Sequence, residues 1–210
     1  MAYKDQTLGE FAQKTWEKLP APGGGSVAAA VASLGAALAG MVSNYTTGKK
    51  RYAEHEEYIK GIIERTSDLK DRFLELIDED EKNFIPLSKA YAMKADTEEE
   101  KRKKALEISR CSVRASEAVM EVMKLCRETA GIHAALLEKG SVMLLSDVGV
   151  GAQLTKAASQ SAYLNILINL DSILDEGFKG YIKKKYRKCA ADTASSCDRT
   201  YQAVLERLQN

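Results

Sequence analysis

Proline is scarce in this chain, three residues among 210, and neither an Asn-Gly turn nor a run of alternating apolar and polar residues marks a hairpin or strand. That excludes an ordinary β-rich domain. Aromatics supply only 7% of residues against 45% hydrophobic residues overall, so Ala, Val, Leu, Ile and Met must build the core. The four cysteines, at 111, 126, 189 and 197, form no Cys-x-x-Cys pair, and none stands near either of the two histidines at metal-ligand spacing. A zinc site is not expected, and the thiols read as small apolar residues in a reducing compartment. A surplus of one charge is also missing: 31 Lys+Arg stand against 30 Asp+Glu, interleaved, for a net charge of +1. This weighs against nucleic acid as a partner. Near the N-terminus Lys4, Asp5, Glu10 and Glu17 leave no room for the apolar core of a signal peptide, so the expected location is the cytoplasm.

What is present is helical periodicity. Ser26 to Ser43 carries no charge, yet it is mostly Ala, Gly and Ser, with Val27, Val31, Leu34, Leu38, Met41 and Val42 spaced as a packing seam. It reads as a central helix whose small residues let neighbours approach, not as a membrane span, and no membrane partner is expected. The same stepping predicts a helix between Tyr52 and Tyr91 and another from Glu98. Thr97 and Glu100 form a capping-box pattern at the start of the second, and Gly140 is its stop. Two more follow, from about Ser146 to Leu174 and Phe178 to Leu208, and a shorter helix precedes Pro20. The expected fold is all-α: one domain over residues 1–210, a bundle of about five long helices plus short ones.

Three places could carry chemistry. Pro20-Ala21-Pro22-Gly23-Gly24-Gly25-Ser26 runs directly into the small-residue helix. It lacks the preceding strand and following acid of a dinucleotide loop, and the Gly-Lys-Ser/Thr of a P-loop. What remains is either a ligand cradle of free N–H groups or a plain helix start with Ser26 as N-cap. Asp80 lies on the stripe Phe73, Leu76, Ile77, Phe84, Leu87, and a carboxylate there must be paired or used. Asn165 and Asn169, one turn apart in an apolar run after Ser146-Asp147-Val148-Gly149-Val150-Gly151-Ala152, could read a heterocycle's edge or hold a crossing backbone. His133 falls on a seam and reads as a core histidine. Lys49 and Lys50, past the end of the buried helix, complement its dipole or hold an anionic tail.

Taken in order, Pro22 to Ser26, Asn44, Gly48-Lys49-Lys50, Tyr52, Leu76 to Asp80 with Phe84, Ser146 to Ala152 and Leu164 to Leu170 resemble the cyclodeaminase/cyclohydrolase family. This is the family of the C-terminal domain of formiminotransferase-cyclodeaminase and its stand-alone bacterial relatives, including methenyltetrahydrofolate cyclohydrolase. The likeness spans nearly the whole chain. It departs at Asn83, where the family has alanine, and at Ala92-Met93-Lys94, where it has Leu-Pro-Lys.

The resemblance implies an all-helical homodimer or larger oligomer that binds tetrahydrofolate, possessing no other cofactor and no metal. Its members convert 5-formiminotetrahydrofolate to the 5,10-methenyl compound with loss of ammonia, or hydrolyse the methenyl compound to 10-formyltetrahydrofolate. The first reaction is the leading expectation, the second its alternative, and a non-catalytic helical scaffold the alternative outside enzymes. On this resemblance Asp80 is the main acid/base or cation-stabilising group and Asp147 a second carboxylate. Gly23, Gly24, Gly25 and Ser26 cradle the ligand, Asn165 with Asn169 faces the pterin or the bridge, and Lys49 and Lys50 hold the glutamate tail, which can be polyglutamylated.

Overall fold

The computed structural model describes residues 2–210. Six α-helices follow one another: α1 (Leu8–Trp16), α2 (Gly24–Asn44), α3 (Glu56–Tyr91), α4 (Glu98–Lys139), α5 (Leu145–Asp171) and α6 (Glu176–Gln209). No strand occurs among the described residues. The helix ends follow local chemistry. The Thr97 hydroxyl accepts from the Glu100 backbone N–H, 3.2 Å, while the Glu100 carboxylate accepts from the Thr97 N–H, 2.8 Å, so two orphan donors are satisfied at once. Thr7 and Glu10 repeat the device on α1. Gly140 closes α4, and the Asp175 carboxylate opens α6 by accepting from the Phe178 N–H.

Helix α2 sits at the centre, packed on α3, α4 and α5. The side it turns inward is the one that carries the small residues, as expected of a helix that lets its neighbours approach. Ala28, Ala29, Ala32, Gly35, Ala36 and Ala39 are buried, whereas Val27, Val31, Leu38 and Met41 are only half-buried and Leu34 is 53% exposed. The small residues face the core because the neighbouring helices lie too close for larger ones. A Cβ on Gly40 would stand 3.1 Å from the Thr66 hydroxyl, and one on Gly35 would press on Thr155. Bulk comes from the partners instead: Leu69, Phe73 and Leu76 on α3, Val119 and Met123 on α4, and Ile166 on α5.

Length then creates a recess. Asp80 of α3 lies level with the first turn of α2, and α3 continues to Tyr91, about 16 Å further at 1.5 Å per residue. There α3 and α4 pack on each other through Leu87, Ala90, Cys111 and Ala115, without α2 between them. The start of α2 is therefore overhung by its neighbours.

His133 of α4 is fully buried. Its Nε2–H donates to the Gly35 carbonyl at 3.1 Å, Nδ1 has no partner among the described residues, and Gly151 of α5 leaves room for the ring. Burial lowers its pKa to about 4. It is a core histidine, held neutral. The unfolded chain, with an ordinary histidine pKa near 6.5, binds this proton first, so stability is full above pH 6.5 and declines as pH falls towards 4. Chemical unfolding across that range should show the loss, and His133→Gln should flatten it. Gly151→Ala, whose Cβ overlaps the imidazole, should cost about 1–3 kcal/mol at pH 7.

Candidate functional site

The first turn of α2 has Gly23 as its N-cap, with no side-chain cap, so its leading N–H groups face outward. The segment before it is tied down by Tyr3. The Tyr3 backbone N–H donates to the Asp78 carboxylate at 2.7 Å, and its phenol donates to the Ala21 carbonyl at 3.0 Å. Ser26 is not the N-cap that a sequence reading allowed. It is the third residue of the helix, fully buried, and its hydroxyl donates to Asp80 Oδ2 at 2.8 Å.

Asp80 thus lies across the positive end of α2, with the Ser26 backbone N–H also directed at it. Nothing bulky separates carboxylate from helix: a Cβ on Gly25 would overlap Asp80, and one on Gly24 would stand 3.1 Å from the Asn165 amide. Both glycines are required for close approach. No Lys or Arg pairs with Asp80 among the described residues. The nearby cation on α3, Arg72, is engaged by Glu75, Glu79 and Glu121. Of the two options for a carboxylate on an apolar stripe, pairing with a cation is therefore not the one adopted.

Phe84 and Ala115 close one side of the slot and Asn165, Ile168 and Asn169 the other, around a cavity of about 110 Å³. Asn165 donates its Nδ2–H to the Ser161 carbonyl at 2.9 Å, which leaves its Oδ1 uncommitted. The Asn169 amide makes no hydrogen bond to protein among the described residues. The slot offers an acid, two amides and helix N–H groups within apolar walls. Its volume is below the roughly 300–1,000 Å³ of a site enclosing a whole small molecule. It takes one reacting edge, and the rest of a larger ligand lies over the rim.

Gly23, Gly24, Gly25, Ser26, Asp80, Asn165 and Asn169 are thus brought together. Three other expected residues are not. Asn165 lies beside the start of α2, and Thr155 beside Gly35, so α2 and α5 run antiparallel. Asp147, in the first turn of α5, stands about 27 Å along the helix from Asn165. Lys49 and Lys50 follow the far end of α2, about 30 Å from Gly24. Lys49 there approaches the Ser141 hydroxyl at 3.5 Å and the Tyr45 ring at 5.9 Å. None of the three reaches the slot of its own chain. Sequence reasoning missed Ala115 and Ile168, which look like ordinary helix residues, and Tyr3, whose role depends on a loop closing over it.

The family model described as formiminotransferase-cyclodeaminase matches residues 7–188. The chain belongs to the formiminotransferase-cyclodeaminase family. Over 204 residues it is 30% identical to the methenyltetrahydrofolate cyclohydrolase of Methylorubrum extorquens, covering 97% of this chain and 98% of that one. It is 33% identical over 180 residues to the formimidoyltransferase-cyclodeaminase of Mus musculus, covering 83% of this chain but 32% of that longer protein. The crystal structure of formiminotetrahydrofolate cyclodeaminase from Thermotoga maritima superposes with a TM-score of 0.81 at 29% identity, covering 98% of this chain and 97% of that one. Its relatives of similar length thus carry both activities in their names.

Burial raises the pKa of Asp80, and the Ser26 donors oppose the rise. A carboxyl shifted upward by folding binds its proton more tightly in the native state, so its ionisation costs stability as pH rises through the folded pKa. Asp80→Asn should melt at a higher temperature than the parent at pH 7. That margin should shrink on acidification and vanish below the ordinary carboxylate pKa near 4. Paired thermal melts from pH 4 to 8 measure it, and a margin independent of pH would count against a strained carboxylate.

Proposed function

We propose that this chain is a tetrahydrofolate one-carbon enzyme acting at the 5,10-methenyl bridge, as a formiminotetrahydrofolate cyclodeaminase. The observation that carries the proposal is the Asp80 carboxyl, unpaired with any cation among the described residues and held by Ser26 in a slot lined by two asparagine amides. The reaction joins N10 of the folate to the carbon of the protonated formimino group on N5 and gives a tetrahedral carbon that bears an amino group beside a protonated N10. The N10 proton must leave and the amino group must gain one before ammonia departs. A single carboxyl beside the bridge performs both transfers, taking the first proton and delivering it to the nitrogen of the leaving group. As the C–N bond breaks, the bridge becomes a cation, and the returned carboxylate faces it inside apolar walls. The Asn165 Oδ1 and the Asn169 amide orient the ring edge.

Hydrolysis of the methenyl compound to 10-formyltetrahydrofolate is the second reading, favoured by the near full-length likeness to a cyclohydrolase. It passes through the corresponding tetrahedral carbon with a hydroxyl in place of the amino group: water adds and Asp80 takes its proton, then returns it to N5 as the C–N5 bond breaks, while the hydroxyl proton leaves to solvent and the carbonyl of the formyl group forms. No cofactor beyond the folate is needed in either sequence of steps.

Asp80→Asn should remain folded and lower kcat by at least about a hundredfold. Absorbance of methenyltetrahydrofolate, formed from the formimino compound in one assay and consumed in another, ranks the two activities. Unchanged turnover in the variant would remove Asp80 from the mechanism. Absence of both activities and of saturable folate binding would make the chain a scaffold.

The working unit of this proposal is a homodimer. On α2, Val27, Val31, Leu34, Leu38, Met41 and Tyr45 step by 4, 3, 4, 3 and 4 along the outer side, and Tyr45 is 58% exposed. On the adjacent α5, Val150, Leu154, Ala157, Ser161 and Leu164 do the same. Two neighbouring rows with a 3.5-residue repeat suit the matching pair of a second copy, giving four helices at the junction. Light scattering should show at least a dimer at micromolar concentration, and Leu34→Glu should shift it to a folded monomer of 23.1 kDa.

A further inference from the structure

The wall of the slot that comes from the chain before α2 is Pro20, Ala21 and Gly23. Little holds it in place. Pro20 and Pro22 have no N–H to donate, and among the described residues the one hydrogen bond made by residues 20–22 runs from the Tyr3 phenol to the Ala21 carbonyl. Helix α1, which leads into this segment, has no fully buried residue, so it lends no firm anchorage of its own. Its Phe11 ring stands edge-on to Tyr3 instead, with the ring centroids 6.3 Å apart.

Tyr3 is itself fixed to α3. The Asp78 carboxylate accepts from two successive backbone N–H groups, that of Tyr3 at 2.7 Å and that of Lys4 at 3.4 Å. Asp78 stands two residues before Asp80, so the contacts from Asp78 through Tyr3 to Ala21 join the helix that carries the acid to the wall beside it. The phenol remains a donor at neutral pH, because burial raises its pKa and the Glu81, Glu17 and Asp78 carboxylates add to the rise. A slot of about 110 Å³ has little tolerance, and a small displacement of this wall changes whether an edge fits.

We infer that Tyr3 is a positioning residue of the site, a latch that ties the wall of Pro20, Ala21 and Gly23 to the Asp78 end of the acid-bearing turn before substrate arrives. Its kinetic consequence rests on the folate reading. Tyr3 touches no reacting atom, and its work is done in the free protein. With the latch broken, the wall visits other positions, substrate binds the fraction of molecules in which the wall is in place, and apparent affinity falls by that fraction. Bound substrate then holds the wall itself, so the chemical step proceeds at its usual rate. The signature is a rise in KM at constant kcat.

Tyr3→Phe keeps the ring against Phe11 and removes only the hydroxyl. It should raise KM about fivefold, the size of one lost hydrogen bond, leave kcat within about twofold of the parent and lower the melting temperature by no more than about 4 °C. Asp78→Ala, which frees the other end of the latch, should match it. Asp78→Asn, which keeps an acceptor but loses the charge, should retain the parent KM. The double variant Tyr3→Phe/Asp78→Ala should be no worse than the poorer single variant, since both cut one connection. Without any ligand, trypsin should cut after the exposed Lys18, at the head of this segment, at least about fivefold faster in Tyr3→Phe and in Asp78→Ala than in the parent. An unchanged KM in active Tyr3→Phe overturns the latch, and so does a fall in kcat at constant KM. A raised KM with cleavage unchanged makes the hydroxyl a ligand contact and overturns it likewise. If Asp78→Asn behaves as Asp78→Ala does, charge and not the hydrogen bond is at work, and the latch is again overturned. If the parent shows no folate activity while cleavage at Lys18 still accelerates in both variants, the folate reading fails and the latch stands.

Discussion

The close approach of α2 to α3, α4 and α5 is the constraint on which the rest of the molecule depends. It is possible because the inner face of α2 presents alanine, glycine and serine from Gly25 to Ala39, with Val42 the one branched side chain buried there. Deep contact over this face follows from dense packing of small side chains, and any added volume must displace a neighbouring helix. The Gly35–Thr155, Gly40–Thr66 and Gly151–His133 contacts are expressions of that limit.

The same closeness builds the chemistry. Without it the Asp80 carboxyl on α3 would not meet the N–H groups and Ser26 hydroxyl of α2, and Asn165 would not stand against Gly24. Two opposing influences act on Asp80. Burial favours its protonated form, and the helix start with Ser26 favours the anion. A group poised between them suits alternating proton gain and loss, which a carboxylate locked to arginine would resist. The neighbouring Arg72 illustrates the contrast: three glutamates hold it, and its role is to join α3 to α4.

Much of this was legible in the sequence because it is local. The 3/4 spacing, the Thr97/Glu100 capping box, the Gly140 stop and the lack of turn signals within segments led to six helices with boundaries displaced by only a few residues. Asp80 was visible as an acid on an apolar stripe, and the glycines before Ser26 as a place of close approach. The small residues of α2 were legible as the side its neighbours approach, whereas the seam of Val27, Leu34 and Leu38 showed a packing surface without showing what packs on it, because the sequence does not say which rows of a helix its own chain covers.

Sequence by itself therefore determined the helices, their ends and the residue types able to do acid/base work, since these follow from interactions among residues a few positions apart. Only the tertiary structure decided which of those residues share a site. It joined Asp80, Ser26 and Asn165 across three helices, and it sent Asp147, Lys49 and Lys50 to the other end. The physical reason is the antiparallel course of α2 and α5: at about 1.5 Å per residue, 18 residues of rigid helix separate Asp147 from Asn165 by the length of the bundle, a distance that no side chain spans.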